Sequence, residues 1–215
     1  MRACCLASLS RASFESVRDM LMTAECLGTE ASAAYRVHDP GALALAEGAL
    51  ATCRALKPPA PITEARLLAI LGGVHITNRN WQLAIDAYEL AIGAGEVVQD
   101  LRRLSIMYGD LSAAYQELGR YNEAARYAHR AIAIHETLSD RLSLARSENN
   151  LGMLLLKRGD LADAQGHFER ALGLFEEAGV EPQRANFLMS MCELDWLRKD
   201  LDTAEHWARE ALDFA

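Results

Sequence analysis

Proline is scarce in this chain, five residues in 215. So few helix breakers leave long helices open to almost every segment. Basic residues are outnumbered, 22 Lys and Arg against 30 Asp and Glu, for a net charge of −8, and no run of them appears anywhere. That opposes a nucleic-acid-binding surface, which needs clustered Lys and Arg to meet phosphates. The five cysteines (Cys4, Cys5, Cys26, Cys53, Cys192) are odd in number, irregular in spacing and without a CxxC pair. They suggest neither a zinc site nor a redox motif, and read as small apolar residues in a reducing compartment. No stretch approaches the ~18 apolar residues of a membrane span. The opening MRACCLASLSRASFE has no long apolar core of a signal peptide. The expectation is a cytoplasmic protein with no membrane partner.

Chemistry is also missing. His135-Glu136 lacks the second histidine of HExxH, and ILGGVH (70–75) is neither a phosphate-binding loop nor a dinucleotide fingerprint. No GxSxG is present, and the six histidines have no metal-ligand spacing. Acidic residues are spread over what read as solvated helix faces. No catalytic residue, metal or cofactor is expected, and the chain reads as a non-enzyme.

What is present is a period of 40 residues. Ala44, Ala84, Ala124, Ala164 and Ala204 fall in one column, and Ala51, Ala91, Ala131, Ala171 and Ala211 in another, seven positions on. Twelve positions before the first column stand small residues, Ser32, Gly72, Ser112, Gly152 and Cys192. Three further on come Tyr35, His75, Tyr115, Leu155 and Asp195. Helices approach closely only where side chains are small, and residues seven apart share a helix face two turns on. The columns therefore predict helix pairs, with small residues of the first helix facing alanines of the second and bulky residues such as Tyr88 and Phe168 between them. Turn segments TNRNW, ELGRY, KRGDL and LRKDL lie where the scheme needs them. Asn80, Asp160 and Asp200 share a column there as N-caps, and Asp39-Pro40 does similar duty in the first unit.

These residues resemble the tetratricopeptide repeat, whose pattern runs large apolar, Leu-Gly, Tyr, Ala, aromatic, Ala. Leu151-Gly152, Leu155, Ala164, Phe168 and Ala171 fit it best. Departures are Asp195 for an apolar residue, and Gly48, Ala128 and Ala208 for an aromatic, although Tyr127 and Trp207 are adjacent. Leu56, Glu96, Glu136 and Glu176 stand where the closing proline belongs. A period longer than the common repeat of about 34 residues is similar to the long repeats of kinesin light chains and of bacterial peptide-sensing regulators. The resemblance implies an all-α, right-handed superhelical solenoid of about five helix-turn-helix repeats. It covers residues 25–215, with units near 25–64, 65–104, 105–144, 145–184 and 185–215. Residues 1–24 are expected to be an N-terminal helix or a partial repeat, and KPPAP (57–61) an ordered linker.

In such proteins the first helix of each pair lines a concave groove that binds a protein or peptide. Carried onto this sequence, inward positions include Arg66, Asp110, Arg146, Asn149, Asn150, Met189 and Trp196, and these are the candidate site. The same inward register also takes in Ala69, Ile70, Gly73, Ile76 and Thr77 of the second unit, Ile106, Gly109, Ala113, Gln116 and Glu117 of the third, Met153, Leu156 and Lys157 of the fourth, and Asn186, Ser190, Glu193 and Leu197 of the fifth. The Lys/Asn/Arg carboxylate clamp of chaperone-binding relatives is not assembled here, because alanines, glycines and Asp110 interrupt it. Asn149 and Asn150 are suited to a peptide backbone, since an amide satisfies both N–H and C=O, while Met189 and Trp196 offer an apolar anchor. The functional expectation is a non-enzymatic binding scaffold, the sensor or interaction domain of a bacterial-type regulatory system. The alternative is an oligomerisation module. Its motive is the apolar stripe Ala204, Trp207, Ala208, Ala211, Leu212 on the last helix, which would be covered by a homodimer partner or by further chain.

Overall fold

The computed structural model describes the backbone of residues 2–93, 100–178 and 181–212, and the side chains of 16–93, 100–177 and 185–212. Among the described residues there are ten helices and no strand. The chain divides into two compact units, Met1–Asp100 and Leu101–Ala215.

The first unit holds α1 (Arg2–Arg36), α2 (Ala42–Arg54), α3 (Pro61–Thr77) and α4 (Trp81–Gly93). α1 packs on α2 and α3, and α3 on α4. α1 runs unbroken through residue 24, the bound given to the expected N-terminal helix or partial repeat. No proline and only one glycine, Gly28, occurs along it. The second unit holds α5 (Leu101–Glu117), α6 (Tyr121–Thr137), α7 (Arg141–Arg158), α8 (Leu161–Ala178), α9 (Glu181–Arg198) and α10 (Leu201–Leu212). They form three successive hairpins, α5–α6, α7–α8 and α9–α10, each packed on the next.

One turn, in one register, closes the first helix of four pairs. Arg79, Gly119, Gly159 and Lys199, 40 residues apart, all have positive φ (58°, 72°, 94° and 65°). The amide that follows each one reaches back five residues: Asn80 N–H to His75 O, Arg120 to Tyr115, Asp160 to Leu155 and Asp200 to Asp195, at 2.8–2.9 Å. This is the left-handed helix cap that satisfies carbonyls left open at a helix end. The next helix then starts on the carbonyl of the capping column, which accepts from the amides of Ala84, Ala124, Ala164 and Ala204. Of the expected side-chain caps, Asp200 accepts from Thr203 N–H (3.3 Å) and Oγ1 (2.9 Å), whereas the Asp160 carboxylate pairs with Arg158.

The alanine columns are buried in four pairs: Ala84, Ala91, Ala124, Ala131, Ala164, Ala171, Ala204 and Ala211. The first pair breaks the register. Its equivalent turn residue is His38 (φ 57°), with Asp39 N–H on Ala34 O, one residue early. Its turn is also longer, so Ala46, Ala49, Leu50 and Cys53 are buried while Ala44 and Ala51 are exposed. The small column meets rings rather than alanines. A Cβ added at Gly72 would lie 2.7 Å from the Tyr88 ring, and one at Gly152 would lie 2.5 Å from Phe168.

Candidate functional site

The α5–α6 pair lacks that ring. The positions of Gly72/Gly152 and Tyr88/Phe168 are held by Ser112 and Ala128. The aromatic one residue earlier, Tyr127, turns the other way. It is buried, stacks on Tyr115 (centroids 5.4 Å, 8° between planes) and meets Tyr108 at 5.7 Å. What is left is a depression of about 270 Å³ between α5, α6 and α7. Gly109, Ser112, Ala113, Ala128, Ala131 and Ser147 give it small walls, and Gln116, Asn150, Met153 and Lys157 complete its lining. A Cβ at Gly109 would meet nothing within 4 Å, so no packing contact demands the glycine.

Met153 also belongs to a second, shallower depression of about 420 Å³, lined by Asn186, Met189, Ser190, Cys192, Glu193 and Trp196 of α9. The two depressions therefore adjoin across α7. Trp196 is 62% and Met189 53% exposed. Lys157 is the one charged group lining the first depression, and Glu193 the one lining the second.

The candidate residues separate on this geometry. Asn150 lines the first depression, and Met189 and Trp196 line the second. Asp110 and Arg146 line neither, and both are engaged within the protein. Asn149 is half-buried. Its Oδ1 is sequestered and accepts no hydrogen bond among the described residues. Arg66 lies on α3 of the first unit, bonded at 2.6 Å to Glu25. Sequence reasoning passed over Ala128, whose departure from the aromatic column was the visible sign of the depression. It also passed over Lys157, which shared the inward register.

Behind the groove, α7 is tied to α8 by a buried carboxylate. Glu148 is fully buried. Its Oε1 lies 2.6 Å from Arg170 Nη1 and its Oε2 2.6 Å from His167 Nδ1. Arg170 also bonds Glu136 of α6 at 2.5 Å, so one guanidinium joins three helices. Glu148 neighbours Asn149 and Asn150 in the chain, and its anchoring fixes the rotation of α7 that turns Asn150 to the groove. The N-terminus of α7 is capped by Asp140, whose carboxylate accepts from Ser143 N–H (3.1 Å) and Oγ (3.0 Å). The backbone bond holds the Asp140 carboxyl below its ordinary range, so this cap persists into acid before protonation removes it. Burial pushes the His75 and His135 imidazoles down, disfavouring their charged forms. Among the described residues no three His, Cys, Asp or Glu side chains stand together as metal ligands, and no helix is long and apolar enough to cross a membrane.

The stripe on α10 is partly covered by its own pair. Ala204 and Ala211 are buried, and Trp207, half-buried, donates its indole N–H to the buried Asp195 at 2.9 Å. That bond gives the buried carboxylate at this column position a partner. Leu201 and Leu212 remain exposed.

The chain is 28% identical over 117 residues to human G-protein-signaling modulator 1, an alignment covering 54% of this chain and 15% of that protein. It thus spans a small part of that relative's length. In fold it is similar to aspartyl phosphate phosphatase F of Bacillus subtilis, with a TM-score of 0.77, 14% identity, and coverage of 96% of this chain and 54% of the other. It is also similar to YrrB, described as a TPR protein with an unusual peptide-binding site, with a TM-score of 0.63, 19% identity, and coverage of 94% and 92%. The tetratricopeptide repeat profile matches residues 102–177 and, overlapping them, 143–215. Together with the four helix pairs that keep a 40-residue register among the described residues, this makes the chain a member of the tetratricopeptide repeat family.

Proposed function

We propose that the second unit binds an extended segment of a partner protein along α5, α7 and α9, and that the protein is a non-catalytic interaction component of a regulatory system. The observation that carries this reading is the pair of depressions sharing Met153, which together offer side-chain amides and exposed apolar surface in one tract. An extended peptide brings unpaired backbone N–H and C=O groups. Asn150, Gln116 and Asn186 can answer both, since each amide donates and accepts. Trp196 and Met189 supply the apolar contact from which such interfaces draw most of their affinity. Large exposed apolar side chains grouped in a depression favour a partner over solvent. The described peptide-binding site of YrrB supports the ligand class, and the signalling role in the name of the human relative supports the regulatory setting.

The test is selection of dodecamers from a random display library on the full chain, followed by titration of the recovered peptides. Asn150→Ala should weaken them by about 3- to 10-fold, the worth of one hydrogen bond. Trp196→Ala should weaken them by about 30-fold or more, as an interface anchor does. Circular dichroism should be unchanged in both. Undiminished affinity in both variants moves the site to another surface.

A further inference from the structure

We propose that the depression between α5 and α7 is a socket for an aromatic side chain of the bound peptide, seated where the repeat's own ring is absent. This rests on the groove reading above and names what one part of that groove takes.

The template lies in the same chain. In the α3–α4 pair the Tyr88 ring covers Gly72, and in the α7–α8 pair the Phe168 ring covers Gly152, both so closely that a Cβ would collide. These rings fill the space between the two helices of a pair. In the α5–α6 pair the same register carries Ser112 and Ala128, and both line the depression. The vacated volume is not refilled from within. Tyr127 is committed to its stack on Tyr115, and nothing approaches the Cβ position of Gly109.

The size of the space narrows the occupant. About 270 Å³ lies at the lower edge of the roughly 300–1,000 Å³ typical of whole small-molecule sites and is room enough for one aromatic ring. Its chemistry narrows it further. Small apolar walls (Gly109, Ala113, Ala128, Ala131) suit a flat ring, as Gly72 and Gly152 do for Tyr88 and Phe168. The amides of Gln116 and Asn150 are at hand for the backbone that carries the ring. A buried ring contributes large contact area at low conformational cost.

The decisive variant restores what the α3–α4 and α7–α8 pairs have, Ala128→Phe combined with Ser112→Gly. It should fold as well as the parent by circular dichroism and thermal melting, because it reinstates a packing the chain already uses twice. Gly109→Leu is the second variant. It fills the socket from the opposite wall with a better helix former. Dodecamers selected on the parent should share one Phe, Tyr or Trp, and changing that residue to Ala should weaken binding about 30-fold or more. The filled variants should lose a similar factor with these peptides. Recovered peptides without a common aromatic, or with unchanged affinity for both filled variants, overturn the socket. If such peptides still respond to Trp196→Ala, the groove reading stands without it. If no recovered peptide responds to Trp196→Ala or Asn150→Ala, the groove reading fails and the socket with it.

Discussion

Glu148 and Arg170 form one ion pair with unequal partners, and that inequality sets what each is worth. Glu148 is fully buried, whereas the Arg170 side chain is 48% exposed. Removing the guanidinium takes the partner from Oε1 of a carboxylate that has given up its hydration, although Oε2 keeps His167, and breaking a buried pair in this way is costly. Removing the carboxylate leaves a guanidinium that keeps water and Glu136 as partners. Arg170→Met is therefore expected to cost on the order of 3 kcal/mol, and Glu148→Gln clearly less, because Gln keeps the volume and a polar contact to His167. Urea denaturation of the two variants checks the order. Equal losses would mean that the pair acts as an ordinary surface bridge. The same residue explains why Asn150 is presented to the groove while Asn149 sits half-buried: Glu148, on the adjoining face of α7, sets the helix rotation.

The turns define the elements, and they do so by backbone conformation more than by residue type. Gly119 and Gly159 take the left-handed position without cost, whereas Arg79 and Lys199 take it with a side chain attached. Gly159→Ala should lose about 1 kcal/mol, and Lys199→Gly should gain a smaller amount, reduced by the freedom glycine adds to the unfolded chain. Opposite shifts in melting temperature are the expected reading, and a loss in both would show that Lys199 contributes more than its backbone. The ELGRY and KRGDL turns were legible because glycine marks them, and the N-cap column was legible in position although only some of its side chains cap. α2 was misregistered for a definite reason. Its sequence ALALAEGALAT places alanine at 42, 44, 46, 49 and 51, so almost any register yields an alanine column. The longer turn before it shifted the buried set to Ala46, Ala49 and Cys53. Repeat arithmetic put Met189 and Trp196 on one face of α9, and the two are exposed and line one depression there. It could not weigh Ala128, because a missing ring becomes a cavity only when its neighbours are seen not to fill it.

At the scale of the molecule, contacts run between neighbouring helices and pairs. In the second unit the main contacts of α5–α6, α7–α8 and α9–α10 are, among the described residues, with the adjacent pair. Stability in such an array is close to a sum of pair stabilities and nearest-neighbour interfaces. The middle pair α7–α8 has a neighbour on each side within the unit, and it carries Glu148. The α9–α10 pair has a single neighbour within the unit, and α10 is held to α9 by Ala204, Ala211 and the Trp207–Asp195 bond. Trp207→Phe keeps most of the apolar surface but takes the N–H away from Asp195 Oδ2, while Arg198 stays 3.7 Å from the other oxygen, Oδ1. A hydrogen bond to a charged group is worth about 1.5–3 kcal/mol, so the loss should fall in that range. In native-state hydrogen exchange it should lower protection in α9 and α10 first, with α7 and α8 nearly unchanged. The terminal pair would then open as a local unit, freeing Met189 and Trp196 from their shelf and weakening a peptide seated there. A uniform loss of protection over α5 to α10 would instead show that the six helices unfold as one block and that the nearest-neighbour description fails for this unit.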